Sequence, residues 1–220
     1  TTMRHPFELA QAVATLDRIS GGRAELGLGA GWLPDEHVAN GLALGPPRER
    51  LDRLVEAVTI AAELLRNDGC VDFDGAYFRS HCSAPWPVTP HVPHVMVGAH
   101  GQHTIRRVAP IVDRLDLLEA MRGGAPDFSG DHGNSLEQLA RRIAIACDHA
   151  DRPLRFSATV NLRVLPTKAA ADAARAELAA VAGCSTATIE AERLRLVATE
   201  SNALDHFKEL AALGIDRLPW

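Results

Sequence analysis

Apolar positions recur at helical spacing in long stretches of the chain, and short apolar runs lie between them. Phe7, Ala10, Val13, Ala14 and Ile19 make most of a helical stripe after Pro6, and Ser20-Gly21-Gly22 punctuates its end. A short strand over 24–29 follows, and then a loop from Gly29 to Gly45, a length that is commonly functional inside a domain. Leu51, Leu54, Val55, Val58, Ala62 and Leu65 predict one buried face of a helix over 48–66, closed by Asn67-Asp68-Gly69. Residues 71–78 read as a hairpin turning at Asp74-Gly75, and the prolines over 85–93 mark an extended connector.

Val95-Met96-Val97 predicts a second buried strand, which runs into Gly98-Ala99-His100-Gly101-Gln102 and a helix over 104–109. Residues 113–118 predict a third strand, and 122–133 a loop rich in Gly, Asp and His. Asn134 with Glu137 resembles a capping box that opens a helix to about residue 150. Strict alternation over 156–165 predicts one strand, with Phe156, Ala158, Val160, Leu162 and Val164 on one face and Ser157, Thr159, Asn161 and Arg163 on the other. Alanine-rich helices over 168–182 and 186–198, a helix over 201–213 and a strand over 215–218 complete the chain. The repeating unit is strand, loop, helix, which places the chain in the α/β class with a parallel sheet or barrel. In such folds ligands bind beyond the C-terminal ends of the strands, where both Gly-rich segments, 27–31 and 98–101, fall.

Composition narrows the partners. With 220 residues, 46% apolar, the chain buries a full core, and its net charge of -5 offers no field for nucleic acid. Charges interrupt every apolar run, so no membrane span is expected. The four cysteines, at 70, 82, 147 and 184, have no paired spacing and read as free thiols in a reducing cytoplasm. His91, His94, His100 and His103 raise a zinc hydrolase as a rival class. No His-Glu-x-x-His helix accompanies them, and we expect no metal. The expected ligand is a small molecule.

Several motifs in order carry a resemblance. They are Arg4-His5-Pro6, residues 14–23 (ATLDRISGGR), Leu26-Gly27-Leu28-Gly29-Ala30-Gly31-Trp32, the spacing from Pro47 through Glu49-Arg50-Leu51-Asp52, Phe73-Asp74-Gly75-x-Tyr77-Phe78, Pro87-Val88 through 97–101, and Leu213-Gly214-Ile215-Asp216-Arg217. In these the chain resembles the luciferase-like monooxygenase superfamily, in particular its coenzyme F420-dependent oxidoreductase branch. The resemblance implies a (β/α)8 TIM barrel, here partial: about strands 4–8 with the end of strand 3, in a single domain over 1–220 with an insertion at about 70–93. It implies an excerpt that lacks the first βα units and the last helix, and a homodimer when complete.

The resemblance also implies a chemistry: hydride transfer between F420, or alternatively FMN, and a small organic substrate. Residues 98–102 would hold the cofactor phosphate through backbone N–H groups at a helix start, which makes Ala99, His100, Gly101 and Gln102 cofactor-binding residues. His100 and Gln102 depart from the small residues and proline of the family, so the backbone contacts carry over better than the side-chain ones. Gly29, Ala30 and Gly31 would border the ring. The luciferases proper, which use reduced FMN, resemble this stretch but place an arginine where Ala30 stands, which favours the deazaflavin. Sugar-oxidising members place a carboxylate at Trp32, so their acid–base scheme does not transfer. His5 is the candidate catalytic group, with a structural role as its competitor. A degenerate, non-catalytic paralogue that binds flavin or only dimerises is the rival from another class.

Overall fold

The computed structural model describes residues 2–66, 71–83, 87, 91–122, 125–129 and 132–218. The chain divides into two compact units. The first comprises residues 1–98, 107–114 and 150–152, the second 99–106, 115–149 and 153–220.

The first unit begins with α1 (Pro6–Ser20), β1 (Glu25–Leu28), α2 (Pro34–Ala39) and α3 (Pro47–Arg66). Helix α1 ends because Gly21 turns left-handed, at φ 70°, and returns its N–H to Asp17 O. The Asp17 carboxylate then accepts the N–H of Ala24 at 3.3 Å, which brings the chain into β1. Ala10, Val13 and Ala14 of α1 face α3, whose Leu54, Ala57, Val58 and Ala61 are fully buried. Ile19 is the exception to the expected stripe, since it is 78% exposed. The predicted loop over 29–45 holds the short helix α2, started by Pro34 at its first position.

Strands β2 (Val71–Asp74) and β3 (Arg79–Ser83) form the insertion hairpin, and β4 (His94–Ala99) pairs in parallel with β1 from Glu25↔His94 to Leu28↔Val97. The hairpin turns more widely than expected, because its second strand starts at Arg79. The Glu56 carboxylate of α3 fills that turn and accepts the N–H groups of Ala76, Tyr77 and Phe78 at 2.9–3.1 Å. Phe78 is buried, and Arg53 lies 5.3 Å over both aromatic rings, so these two side chains anchor the hairpin on α3. Asp113 joins Arg66, Arg152 and the N–H of Val95 at 2.8–3.3 Å. Most of the expected connector over 85–93, and the helix stop at 67–69, lie outside the described residues.

Helix α4 (Gln102–Val108) follows β4, and β5 is Arg114–Leu117. The second unit holds a two-residue ladder of β6 (Met121–Arg122) and β7 (Ala125–Pro126), then α5 (Leu136–His149), β8 (Arg155–Ala158), β9 (Asn161–Leu165), α6 (Lys168–Ala182), α7 (Thr186–Ala191), β10 (Arg195–Thr199), α8 (Glu200–Ala212) and β11 (Ile215–Arg217). Within it, β5, β8 and β11 are neighbours in that order, and β11 runs parallel to β8. Among the described residues no helix is long and apolar enough to cross a membrane.

Three expectations are corrected here. The stretch 156–165 is two strands: β8 pairs with β11, while β9 pairs with β10 and leaves Leu162 and Val164 about two-fifths exposed, at 41% and 44%. The break falls at Thr159, whose hydroxyl turns to the Asp116 carboxylate at 3.1 Å. The helix expected over 186–198 stops at Ala191, because residues 195–199 find a parallel partner in β9 and form a strand. The capping box of α5 is shifted by one residue. Ser135 Oγ accepts the Gln138 N–H at 3.3 Å and Gln138 Oε1 accepts the Ser135 N–H at 3.0 Å.

Candidate functional site

In the first unit, β1 hands over at Leu28 to Gly29, beside which a Cβ would meet open space. Gly31 has φ +77°, and a Cβ there would come within 3.3 Å of Thr2 Oγ1 and 3.4 Å of His37. Glycine is therefore required at 31 on backbone grounds. His37, which the sequence did not single out, is buried and fixes this loop. Its Nδ1–H donates to Leu33 O at 2.9 Å, so its Nε2, 2.8 Å from Thr2 Oγ1, is free to accept that hydroxyl. A histidine inside a predicted long loop was the only available hint. Ala30 is half-buried, and Trp32 is 57% exposed.

His5 caps α1. Its Nδ1 accepts the N–H of Phe7 at 3.3 Å, and its ring meets Phe78 edge-on at 5.4 Å. Both contacts are structural, and the exposed ring keeps Nε2 for other use.

In the second unit, Ala99 is buried at the end of β4, and its carbonyl accepts the N–H of Leu118 just beyond β5. Gly101 is the first-turn carbonyl of α4, accepting the Ile105 N–H at 3.1 Å, and space over its Cα is open. The backbone there is approachable, as a phosphate segment requires. With seven residues α4 has a weak dipole, so the N–H groups carry the argument. Gln102 turns its amide oxygen back to Arg106 at 3.1 Å, which leaves that position to its backbone.

His100 Nδ1 lies 3.0 Å from the Leu118 carbonyl, and Nε2 lies 3.0 Å from Nδ1 of His132, a residue of the predicted Gly, Asp and His loop. Burial, then the nearby Arg142 guanidinium, lowers the pKa of His100 from 6.5 to about 4, against the pull of the carbonyl bond. The unfolded chain therefore takes up a proton near pH 6.5 that the folded chain refuses until about 4. The sign follows: stability falls as pH drops through that window. Urea midpoints between pH 7 and 4.5 are expected to show this slope in the wild type and to lose much of it in His100→Gln.

The loop that carries His132 is anchored on a buried network. Glu192 accepts the N–H and the side-chain amide of Asn134 at 2.8–3.0 Å, while Arg142 donates to Asn134 Oδ1 at 2.8 Å and Gly133 O at 2.7 Å. Nearby, buried Asp116 accepts the hydroxyls of Ser157 at 2.6 Å and Thr159 at 3.1 Å, and Arg195 grips Glu119 through two bonds of 2.7 Å. Asn161 and Arg163 line an open groove of about 350 Å³ with α6 and β10.

The chain is 40% identical over 96 residues to an uncharacterized protein of Mycobacterium tuberculosis, spanning 44% of this chain and 33% of that protein. It is 36% identical over 154 residues to an F420-dependent hydroxymycolic acid dehydrogenase of Mycobacterium tuberculosis, spanning 66% of this chain and 42% of that one. The chain thus spans less than half the length of these curated relatives. Among solved structures, an F420-dependent secondary alcohol dehydrogenase in complex with an F420-acetone adduct matches 99% of this chain and 69% of its own, with a TM-score of 0.75 at 18% identity. The fold is accordingly α/β of the luciferase-like barrel type. The family model described as Luciferase-like monooxygenase matches residues 1–211, and the chain belongs to that family.

Proposed function

We propose that this protein is an oxidoreductase that transfers a hydride between coenzyme F420 and a small organic substrate. The observation that carries this reading is the 36% identity to an F420-dependent dehydrogenase over 66% of the chain. Ala30 supports the deazaflavin over FMN, because the luciferases proper, which use reduced FMN, carry an arginine where this chain has Ala30.

The residues fit a phosphate-bearing cofactor. Open space over Gly101, and a Gln102 side chain engaged with Arg106 along the helix, leave backbone N–H groups of the 99–102 segment to receive a phosphate. On the family resemblance Gly29, Ala30 and Gly31 would border the ring, and Gly31 itself takes a left-handed φ of 77°. When bound, the deazaflavin supplies the hydride-accepting carbon. His5 offers Nε2 as the candidate catalytic group, since its Nδ1 is taken by the N–H of Phe7. The substrate is a small molecule, and we expect a homodimer.

FMN-dependent monooxygenation is the second reading, favoured by the family's description. The test is fluorescence quenching of the protein, expressed from its complete reading frame, on titration with F420 and with FMN. Tighter binding of F420, followed by bleaching of its absorbance with an alcohol or aldehyde partner, is the expected result. Preference for FMN with oxygen consumption selects the monooxygenase. Binding without turnover of any donor or acceptor selects the degenerate paralogue, and no binding of either cofactor sinks all three.

A further inference from the structure

The sheet of β9 and β10 carries chemistry that the cofactor reading does not use. In its parallel register Asn161 lies beside Arg195 and Arg163 beside Val197, so these four side chains share one face. Helix α6 covers that face at one end, where Val197 packs with Ala171 and Ala174, and Leu165 and Leu178 close the cluster. Toward Asn161 and Arg195, at the N-terminal ends of the strands, the layer opens into the groove of about 350 Å³. That volume lies within the range of small-molecule sites.

The two sides of the groove differ in character. Helix α6 supplies an apolar wall of Ala174, Leu178 and Val181, spaced to fall on one side of the helix. Val181 is 72% exposed, so the wall ends in solvent. The sheet supplies N–H donors. Arg195 gives Nε and Nη2 to Glu119 at 2.7 Å each, which balances its charge and leaves Nη1 outside that grip. Asn161, exposed beside it, adds a side-chain amide. Arg163 is held loosely: among the described residues its ion-pair partner is Glu177, at 3.9 Å, and the two side chains are 61% and 74% exposed.

An exposed pair of that length contributes little, so it opens at small cost. Glu177 is also the one acidic side chain among the described residues that line the groove. Donors therefore outnumber acceptors on its polar side.

We propose that this groove binds a small monocarboxylate with an apolar body, its carboxylate on the Arg163 fork in place of Glu177 and its body against Leu178 and Val181. A guanidinium fork meets a carboxylate with two parallel N–H donations, the strong form of this contact. An ammonium would gain Glu177 but face two guanidinium groups, and an uncharged apolar molecule would leave the fork unused. The site does not rest on the cofactor reading, and its test uses neither F420 nor FMN.

The experiment titrates 2-naphthoate, its uncharged amide and 2-naphthylmethylamine into the protein, expressed from its complete reading frame, with binding read by calorimetry. The wild type is expected to bind the naphthoate about tenfold more tightly than the amide, the order of one charge-assisted hydrogen bond. Arg163→Ala is expected to remove that preference and to leave the amide unchanged. Arg163→Lys, which keeps the charge without the fork, should fall between. Glu177→Gln is expected to tighten the naphthoate about threefold, because the internal competitor for Arg163 has gone. Lys208→Ala, which removes the same charge from a 76% exposed side chain on α8, is expected to change nothing. Arg163 and Glu177 are exposed, so the melting curves of their variants should overlay that of the wild type.

Absence of saturable binding by the wild type into the millimolar range, a preference for the amine, or a naphthoate affinity that ignores both Arg163 and Glu177 overturns the proposal. None of these outcomes bears on the binding of F420 or FMN.

Discussion

Arg142→Ala is expected to destabilise the protein by about 3–5 kcal/mol, the cost of leaving a buried ion without its partner. Arg142 is 3% exposed, Glu192 2% and Asn134 fully buried. The guanidinium is bonded to Asn134 Oδ1 and Gly133 O, so truncation strips two acceptors of their donor and removes a cation that helps to hold the Glu192 carboxyl down. Burial raises the Glu192 pKa above its ordinary 4.5, the Asn134 bonds and Arg142 hold it down, and Glu119 adds to the rise. Loss of Arg142 pushes it further up. A carboxyl whose pKa rises on folding contributes most at low pH and loses that contribution as pH rises through the folded value. The deficit in Arg142→Ala should therefore be widest near neutral pH and narrow as the solution is acidified. The measurement is the urea midpoint at pH 7 and at pH 4.5, with the slope m unchanged. A shift under 1 kcal/mol at pH 7 would show that solvent reaches the network. Arg142→Lys keeps the charge but not the fork that reaches two acceptors, and should fall between.

The contrast between what local pattern carries and what only packing decides recurs along the chain. Helix α1 ends where Ser20-Gly21-Gly22 says it must, because a left-handed φ is a local property of Gly21. Helix α6 likewise spans 168–182 as expected, since Thr167 caps it and Gly183 turns left-handed after it. The alanines before residue 191 and the Leu-Val-Ala-Thr after 195 sit in one apolar rhythm, and only the partner strand β9 separates helix from strand there. The break at Thr159 depends on Asp116, which is 43 residues away in sequence. Asn134 suggests the start of α5 because Asn caps helices, yet its side chain is consumed by Glu192 and Arg142, and the cap passes to Ser135.

The candidate site divides in the same way. The left-handed turn at Gly31 and the open backbone at Gly29 and Gly101 are legible, because small residues at the end of a strand have a backbone meaning. His37 and His132 were not, since their roles rest on bonds to Thr2 and to His100 that spacing alone does not encode. The sequence marks His5 as a polar group near chemistry, and the structure adds an N-cap and a ring contact that account for the residue locally.

Gly101→Asp separates helix stability from anion binding in a single substitution. The Gly101 carbonyl accepts the first hydrogen bond of α4, so residue 101 occupies the N-cap position, where Asp is a better residue than Gly by a few tenths of a kcal/mol. An added side chain there meets nothing within 4 Å, and the backbone is not left-handed, so the variant folds without strain. Its melting temperature is expected to match or slightly exceed that of the wild type. Its carboxylate, however, takes the N–H groups that a phosphate would use and adds a like charge beside it, which costs several kcal/mol. Affinity for F420 or FMN is therefore expected to fall on the order of a hundredfold, with the bare chromophores much less affected. Gly101→Ala, which fills the same open space without charge, should bind within about twofold of wild type. If Gly101→Asp instead binds the phosphorylated cofactor as the wild type does, residues 99–102 do not hold the phosphate. If it binds neither form while its melting curve is intact, the segment lies against the ring system and the phosphate must be held elsewhere.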